Sequence, residues 1–187
     1  MKFDSNYFML SSGENIFIRE AIEDDAEFLI HNTKSYIKDS NTIVLENFDP
    51  SIEEEKKWIN SFVNSFNNLL LVAEFDGKII GNIEVKIPNL SKTKHTGVIG
   101  MGILKEWRNK GVGSFLLKNL IDWSKKSSEI EILWLQVFAT NSSGISLYKK
   151  MGFNEDGRQH NFIKLNENEY TDNIIMSLSV KGIDYET

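Results

Sequence analysis

The stretch that most constrains this chain is Arg108-Asn109-Lys110-Gly111-Val112-Gly113. An apolar, strand-like run precedes it and an amphipathic helical pattern follows it. A strand must therefore become a helix through a short loop with glycines at the helix start. A helix N-terminus carries free N–H groups and a partial positive charge. Gly111 and Gly113 let an anion approach those amides, while Arg108 and Lys110 place cations beside them. This arrangement predicts a backbone cradle for an anion such as a pyrophosphate. A plain solvated loop at a helix start fits the same residues, because short glycine motifs are weakly specific.

Other phosphate loops fit less well. A Walker loop needs Gly-x4-Gly-Lys-Ser/Thr, and here Lys110 precedes both glycines. A dinucleotide fingerprint needs Gly-x-Gly-x-x-Gly directly after the strand, whereas Leu116 takes the third glycine's place.

The 187 residues suffice for one domain, 1–187, with a sizeable core. Net charge is -6, which argues against nucleic acid as a partner. There are no cysteines, so disulfides and thiolate chemistry are excluded. His31, His95 and His160 have no metal-ligand spacing, and no metal is expected. The start Met1-Lys2-Phe3-Asp4 lacks the apolar core of a signal peptide. No run approaches the roughly 20 apolar residues of a membrane span. The expectation is a soluble, cytoplasmic protein with no membrane partner.

Turn and periodicity signals order the elements. Residues 7–10 and 15–19 read as strands, and Asp24 and Asp25 open a helix whose apolar face is Ala26, Leu29, Ile30, Thr33 and Ile37. Asp39-Ser40-Asn41 is a polar break. Ser51 and Glu54 form a capping-box pair ahead of the stripe Ile59, Phe62, Val63 and Phe66. Strands 69–75 and 78–87 flank the hairpin signal Asp76-Gly77. Strand 97–104 leads into the glycine loop, and the helix after it buries Val112, Phe115, Leu116, Leu120 and Trp123. Strand 131–138 and helix 142–151 follow, and Gly152 is a helix stop. Residues 153–158, 161–165 and 173–180 read as three short strands. The pattern predicts a single α/β domain with a mixed, mostly antiparallel twisted sheet and helices on both faces. An apolar strand near the C-terminus leaves monomer and homodimer both open.

Two further segments bear on function. Gly100 and Gly102 interrupt a strand, which marks either close backbone approach by a ligand or packing against an aromatic ring. Asn141 suits a helix N-cap, and Tyr148 lies almost two turns on, along the same face.

Taken together, these motifs resemble the GNAT superfamily of acyl-CoA-dependent N-acetyltransferases. That family's pyrophosphate loop, Arg/Gln-x-x-Gly-x-Gly/Ala, is matched by Arg108, Gly111 and Gly113. Its later segment, Asn and then Leu-Tyr-x-Lys-x-Gly-Phe, is matched by Asn141, Leu147-Tyr148, Lys150 and Gly152-Phe153. Ile18-Arg19 with Asp25-Ala26, and the C-terminal pattern, resemble the subgroup of ribosomal-protein, spermidine and small-amine acetyltransferases.

The resemblance implies two central strands that splay apart to admit acetyl-CoA as cosubstrate. It assigns backbone groups of Met101 and Ile103 to pantetheine. Arg108, Asn109, Lys110, Gly111, Val112, Gly113 and Ser114 would hold the pyrophosphate, and Asn141 would contact the pantetheine arm. The implied partner is a primary amine, either a small molecule or a peptide N-terminus. Loops carry variable function, so acceptor specificity is expected in residues 35–49, in 88–94 and near His160. Tyr36, Phe48 and Trp58 are candidate walls of an acceptor pocket, although helical aromatics more often belong to the core.

Tyr148, protonated at neutral pH, is the expected general acid to the departing thiolate. Many relatives carry a Glu on the strand before the loop, and this chain has none there. Glu84 and His95, each through a water, are therefore the candidate bases, alongside a substrate that loses its proton unaided. Strand alternation in Ile83-Glu84-Val85 favours a solvent-facing Glu84 as the plainer reading. A non-catalytic CoA-binding or sensory domain of the same fold is the alternative.

Overall fold

The computed structural model describes residues 1–39 and 43–182. Along the chain run β1 (Asn6–Met9), β2 (Asn15–Glu20), α1 (Ala26–Asp39), α2 (Ile52–Val63), β3 (Leu69–Phe75) and β4 (Lys78–Lys86). They are followed by β5 (Thr96–Ile103), α3 (Val112–Lys126), β6 (Ile132–Phe138), α4 (Ser142–Lys150), β7 (Asn154–Asn166) and β8 (Glu169–Ser179).

Local chemistry explains the joints. Asp76 and Gly77 take positive φ, 49° and 71°, as the tight β3–β4 turn requires. At the start of α2 the Glu54 N–H donates to Ser51 Oγ at 3.3 Å, and the Ser51 N–H donates to Glu54 Oε2 at 2.8 Å. Each partner thus satisfies a donor the helix start leaves open.

The strands form one sheet in the order β1-β2-β3-β4-β5-β6-β8-β7. Neighbours are antiparallel except β5 and β6, which run parallel. One face is covered by α3 and α4, where Val112, Leu116, Leu117 and Leu120 pack with Ile83, Val85, Leu133 and Tyr148. The other face carries α1 and α2, with Ala26, Leu29, Ile59 and Phe62 against Leu70, Val72 and Ile79. Coverage on both sides explains why all five residues from Leu69 to Ala73 are buried without alternation.

The buried face of α1 differs from the apolar one expected. Ala26, Leu29, Asn32 and Tyr36 point inward, whereas Ile30, Thr33 and Ile37 are half-buried. Asn32 tolerates burial because its Nδ2 donates to the Ile79 carbonyl at 2.8 Å. The expected stripe of α2 also ends early, since Val63 and Phe66 are exposed. The break at Ser40-Asn41 lies outside the described residues.

The C-terminal region is a single long hairpin, β7–β8, where three short strands were expected. Asn161 takes φ 52° inside β7, and the pairing absorbs this irregularity as a register shift between Gln159 and Ile163. The apolar strand near the C-terminus, β8, is internal to the sheet, and β7 forms the edge.

Arg19 ties α1 to the sheet. Its two terminal nitrogens donate to both oxygens of Asp25 at 2.7 and 2.8 Å, and its Nε donates to Glu74 at 2.8 Å. Asp25 also accepts from the Ile22 N–H at 2.8 Å. Asp25→Ala is expected to cost about 3 kcal/mol of unfolding free energy, because it leaves a half-buried guanidinium short of its main partner. Urea denaturation reads this directly, and a loss under about 1 kcal/mol would place the pair among ordinary surface bridges.

Candidate active site

The site begins where the sheet comes apart. β5 and β6 pair over just three positions, Thr96↔Ile132, Gly97↔Leu133 and Val98↔Trp134. Beyond these, β5 stays paired with β4 as far as Ile103, and β6 stays paired with β8 as far as Phe138. The gap opens into a cavity of about 440 Å³. Met101, Ile103, Arg108, Gly113, Asn141 and Tyr148 are among its lining residues.

Strand geometry fixes which backbone groups face the gap. The Leu104 N–H donates to the Ile80 carbonyl of β4 at 3.0 Å. Successive residues of a strand direct their N–H and C=O groups to opposite neighbours. Residues 104, 102 and 100 therefore serve β4, while Ile103 and Met101 direct theirs into the gap. The Ile103 carbonyl accepts from Arg108 Nε at 2.9 Å. The Met101 groups and the Ile103 N–H have no strand opposite them, which fits an amide-bearing ligand.

The loop after β5 has the predicted cradle form. Asn109 and Gly111 take positive φ, 60° and 100°, and Gly111 is the N-cap of α3. No side chain caps this helix, so the amides that open it stay available. A Cβ at Gly113 would lie 3.2 Å from both Ile103 Cδ1 and Leu147 Cδ2, so glycine keeps the floor open. Asn109, Gly111 and Ser114 also line the cavity. Two of the expected contributors differ. Val112 is fully buried in the core, leaving only its N–H to offer. Lys110 extends its ammonium over the Trp107 ring, 5.0 Å from the centroid, and is exposed.

From the far wall, α4 presents Asn141 and Tyr148. Asn141 caps the helix, its Oδ1 accepting from the Gly144 N–H at 3.0 Å and from Ser143 Oγ at 3.2 Å. A Cβ at Gly144 would sit 2.8 Å from Asn141 Nδ2, so this glycine makes room for the amide. Tyr148 is 8% exposed. Burial, with a smaller contribution from the charge of Glu84, pushes its hydroxyl up to about 12. No hydrogen bond engages that hydroxyl among the described residues.

The opposite face explains the β5 glycines. Glu84 of β4 lies beside Gly100, and a Cβ there would come within 2.2 Å of its Oε1. A Cβ at Gly102 would meet the Tyr36 ring at 2.1 Å. The glycines thus let a carboxyl and an aromatic ring from the α1–α2 side lie across the strand that borders the gap. Strand alternation in Ile83-Glu84-Val85 had suggested a solvent-facing Glu84, but this face is covered by helices. Burial raises the Glu84 pKa to about 7, opposed first by Lys86 and then by a hydrogen bond from Asn82. Tyr36 donates to Asn82 Oδ1 at 3.3 Å, and its own pKa is raised, chiefly by burial.

His95 does not join this group. It precedes Thr96 at the paired end of β5, where its carbonyl accepts from the Glu131 and Ile132 amides at 2.8 and 3.2 Å. At about 3.3 Å per residue, its Cα is roughly 17 Å along the strand from Gly100. Of the expected acceptor walls, Tyr36 lines the cavity, while Trp58 packs edge-on against Phe62 with centroids 5.0 Å apart. Phe48, the 88–94 connection and His160 lie outside the lining, and His160 pairs with Asp172 at 3.2 Å. Ile43 lines the cavity from the expected 35–49 stretch, whereas Gln136 and Thr140 line it without having been anticipated. Alternation along β6 could have set Gln136 apart as a polar residue between buried Leu135 and Val137.

A parted parallel pair, a glycine cradle and a buried tyrosine define an acyl-CoA N-acyltransferase fold. Residues 33–153 match the acetyltransferase (GNAT) family, and the chain belongs to it. The L-amino acid N-acetyltransferase AaaT of Escherichia coli K12 is 29% identical over 107 residues, 57% of this chain and 65% of its own length. The [ribosomal protein bS18]-alanine N-acetyltransferase of the same organism is 36% identical over 75 residues, 40% of this chain and 49% of its own. These alignments thus span less than two thirds of either relative. A GNAT-family acetyltransferase structure from Streptococcus pneumoniae superposes with a TM-score of 0.84 at 28% identity, covering 88% of this chain and 99% of that one. The fold is shared by yncA from Salmonella typhimurium, solved with acetyl-CoA, at a TM-score of 0.81, 17% identity and coverages of 92% and 98%.

Glu84 carries a cost that pH exposes. Its folded pKa of about 7 exceeds the unfolded value near 4.5, so the folded state holds the proton longer. Stability contributed by the neutral acid is complete below about pH 4.5 and declines as pH rises through 7. Glu84→Gln is therefore expected to melt higher than the parent at pH 8 and to lose that advantage near pH 4. An advantage independent of pH would contradict a raised Glu84 pKa.

Proposed function

We propose that this chain transfers the acetyl group of acetyl-CoA to a primary amine by direct attack. The observation that carries the reading is the gap between β5 and β6, with Tyr148 in its lining and Glu84 outside that lining, beside Gly100 on the α1–α2 side of the bordering strand. Arg108, Asn109, Lys110 and the amides from Gly111 to Ser114 would hold the pyrophosphate, Val112 through its N–H alone. Met101 and Ile103 would offer backbone partners to pantetheine, and Asn141 its Nδ2, which makes no hydrogen bond among the described residues.

The amine must attack as the neutral base. An alkylamine with pKa about 10.4 is only about 0.1% neutral at pH 7.4. A base near neutrality is therefore valuable, and Glu84, across β5 from the cavity, is the candidate, acting through a water. The nitrogen bonds to the thioester carbon, and the carbon–sulfur bond breaks with its electrons passing to sulfur. The amine proton goes to Glu84 and then to solvent. Tyr148 donates to the departing sulfur and regains its proton from solvent. The two groups are coupled in a useful sense: once Glu84 is neutralised, its charge no longer holds up the Tyr148 pKa, and the tyrosine becomes the stronger acid. His95 drops out as a base on its distance from the gap.

The acceptor side supports an amine without a neighbouring carboxylate. Tyr36, Ile43, Gln136 and Thr140 are uncharged there, and the lining cation Arg108, whose Nε donates to the Ile103 carbonyl, is assigned to the pyrophosphate. A thiol-release screen with acetyl-CoA is expected to favour simple amines and peptide N-termini over free amino acids.

Tyr148→Phe should lower turnover about 100-fold or more while acetyl-CoA affinity holds. Wild-type turnover should rise with pH through a midpoint near 7, and Glu84→Gln should abolish that limb. Unchanged turnover in Tyr148→Phe would remove the tyrosine from the mechanism. Acetyl-CoA at about one hundred times its dissociation constant should stabilise the fold by about 2.7 kcal/mol in thermal melts. NAD or ATP should do nothing, and no response to acetyl-CoA would refute the proposed cosubstrate.

A further inference from the structure

Beneath α2 lies a set of ionisable groups that the chemistry above does not use. Lys86 stands two residues after Glu84 and on the same face of β4. Its ammonium lies over the Phe62 and Trp58 rings, 4.6 and 5.3 Å from their centroids. Glu55, Trp58 and Phe62 fall at helical spacings of three and four, so they share the face of α2 that Lys86 reaches. Glu55 is 5% exposed, and no hydrogen bond engages its carboxyl among the described residues.

Burial raises the Glu55 pKa, and its carboxylate, when ionised, acts at a distance because little water screens it. Lys86 draws Glu84 toward the carboxylate, and Glu55 pushes it toward the acid. The reverse influence appears at Lys86, whose pKa burial lowers and the Glu84 charge supports. The charge of Glu84 bears in turn on two tyrosines, Tyr36 from α1 and Tyr148 from α4. Both are raised by burial and neutral through the physiological range.

We propose that Lys86 and Glu55 are positioning residues that bias Glu84 in opposite directions, so that α2 governs the charge state of the acceptor-side base. The functional consequence rests on the assignment of Glu84 as that base, while the electrostatic claim can be tested without it. Residues two apart on a strand stand about 6.6 Å apart, and a unit charge near 7 Å shifts a neighbour by about 0.4 to 1.7 pH units between effective dielectrics of 80 and 20.

The test is a pH titration of the Glu84 side-chain carboxyl by carbon-13 NMR, its resonance assigned by its loss in Glu84→Gln. Lys86→Met should raise the midpoint by an amount in that range, Lys86→Arg should hold it, and Glu55→Gln should lower it. Equal midpoints in Lys86→Met, Glu55→Gln and the parent would overturn the inference, as would shifts in the same direction. Turnover measured on the same variants separates the two claims. If the NMR midpoints move as expected but the rate limb does not follow them, the electrostatic bias stands and the assignment of Glu84 as base fails.

Discussion

The molecule depends on a defect in its sheet. Parallel strands normally continue to pair for as long as both extend, because unpaired backbone groups are costly to bury. Here β5 and β6 stop after three positions, although each has several residues left. Both are held on their outer sides, β5 by β4 and β6 by β8, so the two halves of the sheet diverge without either strand fraying. The start of α3 and the side chains of α4 occupy the floor of the opening. Arg108 satisfies one of the exposed carbonyls. Among the described residues no strand pairs with the Met101 groups or the Ile103 N–H, and a ligand with amides is what the opening suits.

The divergence also joins two faces that a continuous sheet would keep apart. Tyr148 belongs to the α3–α4 side and Glu84 to the α1–α2 side, yet the charge of one acts on the other. Glycines make this possible. A side chain at residue 100 or 102 would displace the Glu84 carboxyl or the Tyr36 ring. The strand glycines serve packing on one side of the strand and access on its gap edge, so both readings of them hold together. The Arg19–Asp25 pair then acts as a distant support, since α1 carries Tyr36 to its place over Gly102.

Much of this was legible in the residues. Turn chemistry marked Asp76-Gly77, the capping box marked α2, the glycine loop marked the start of α3, and the spacing of Asn141 and Tyr148 marked the α4 wall. What escaped has physical causes. Apolar periodicity cannot see that Asn32 and Tyr36 form the buried face of α1, because their burial depends on hydrogen bonds to distant strands. Alternation placed Glu84 in solvent, because a strand alone does not reveal that helices cover its second face. The position of His95 follows from which end of β5 pairs with β6, a fact of topology. The continuity of β7 was hidden by Asn161, whose left-handed conformation reads as a break but is absorbed as a bulge.

The most direct test of this account is amide hydrogen exchange at single-residue resolution along β5, with and without acetyl-CoA. The Met101 and Ile103 amides should exchange quickly in the free protein and become protected when acetyl-CoA binds. The amides of Gly102 and Leu104, which face β4, should be protected in both states. Protection of Met101 and Ile103 without ligand, or no change when acetyl-CoA is bound, would contradict the claim that the parted strands receive the cosubstrate.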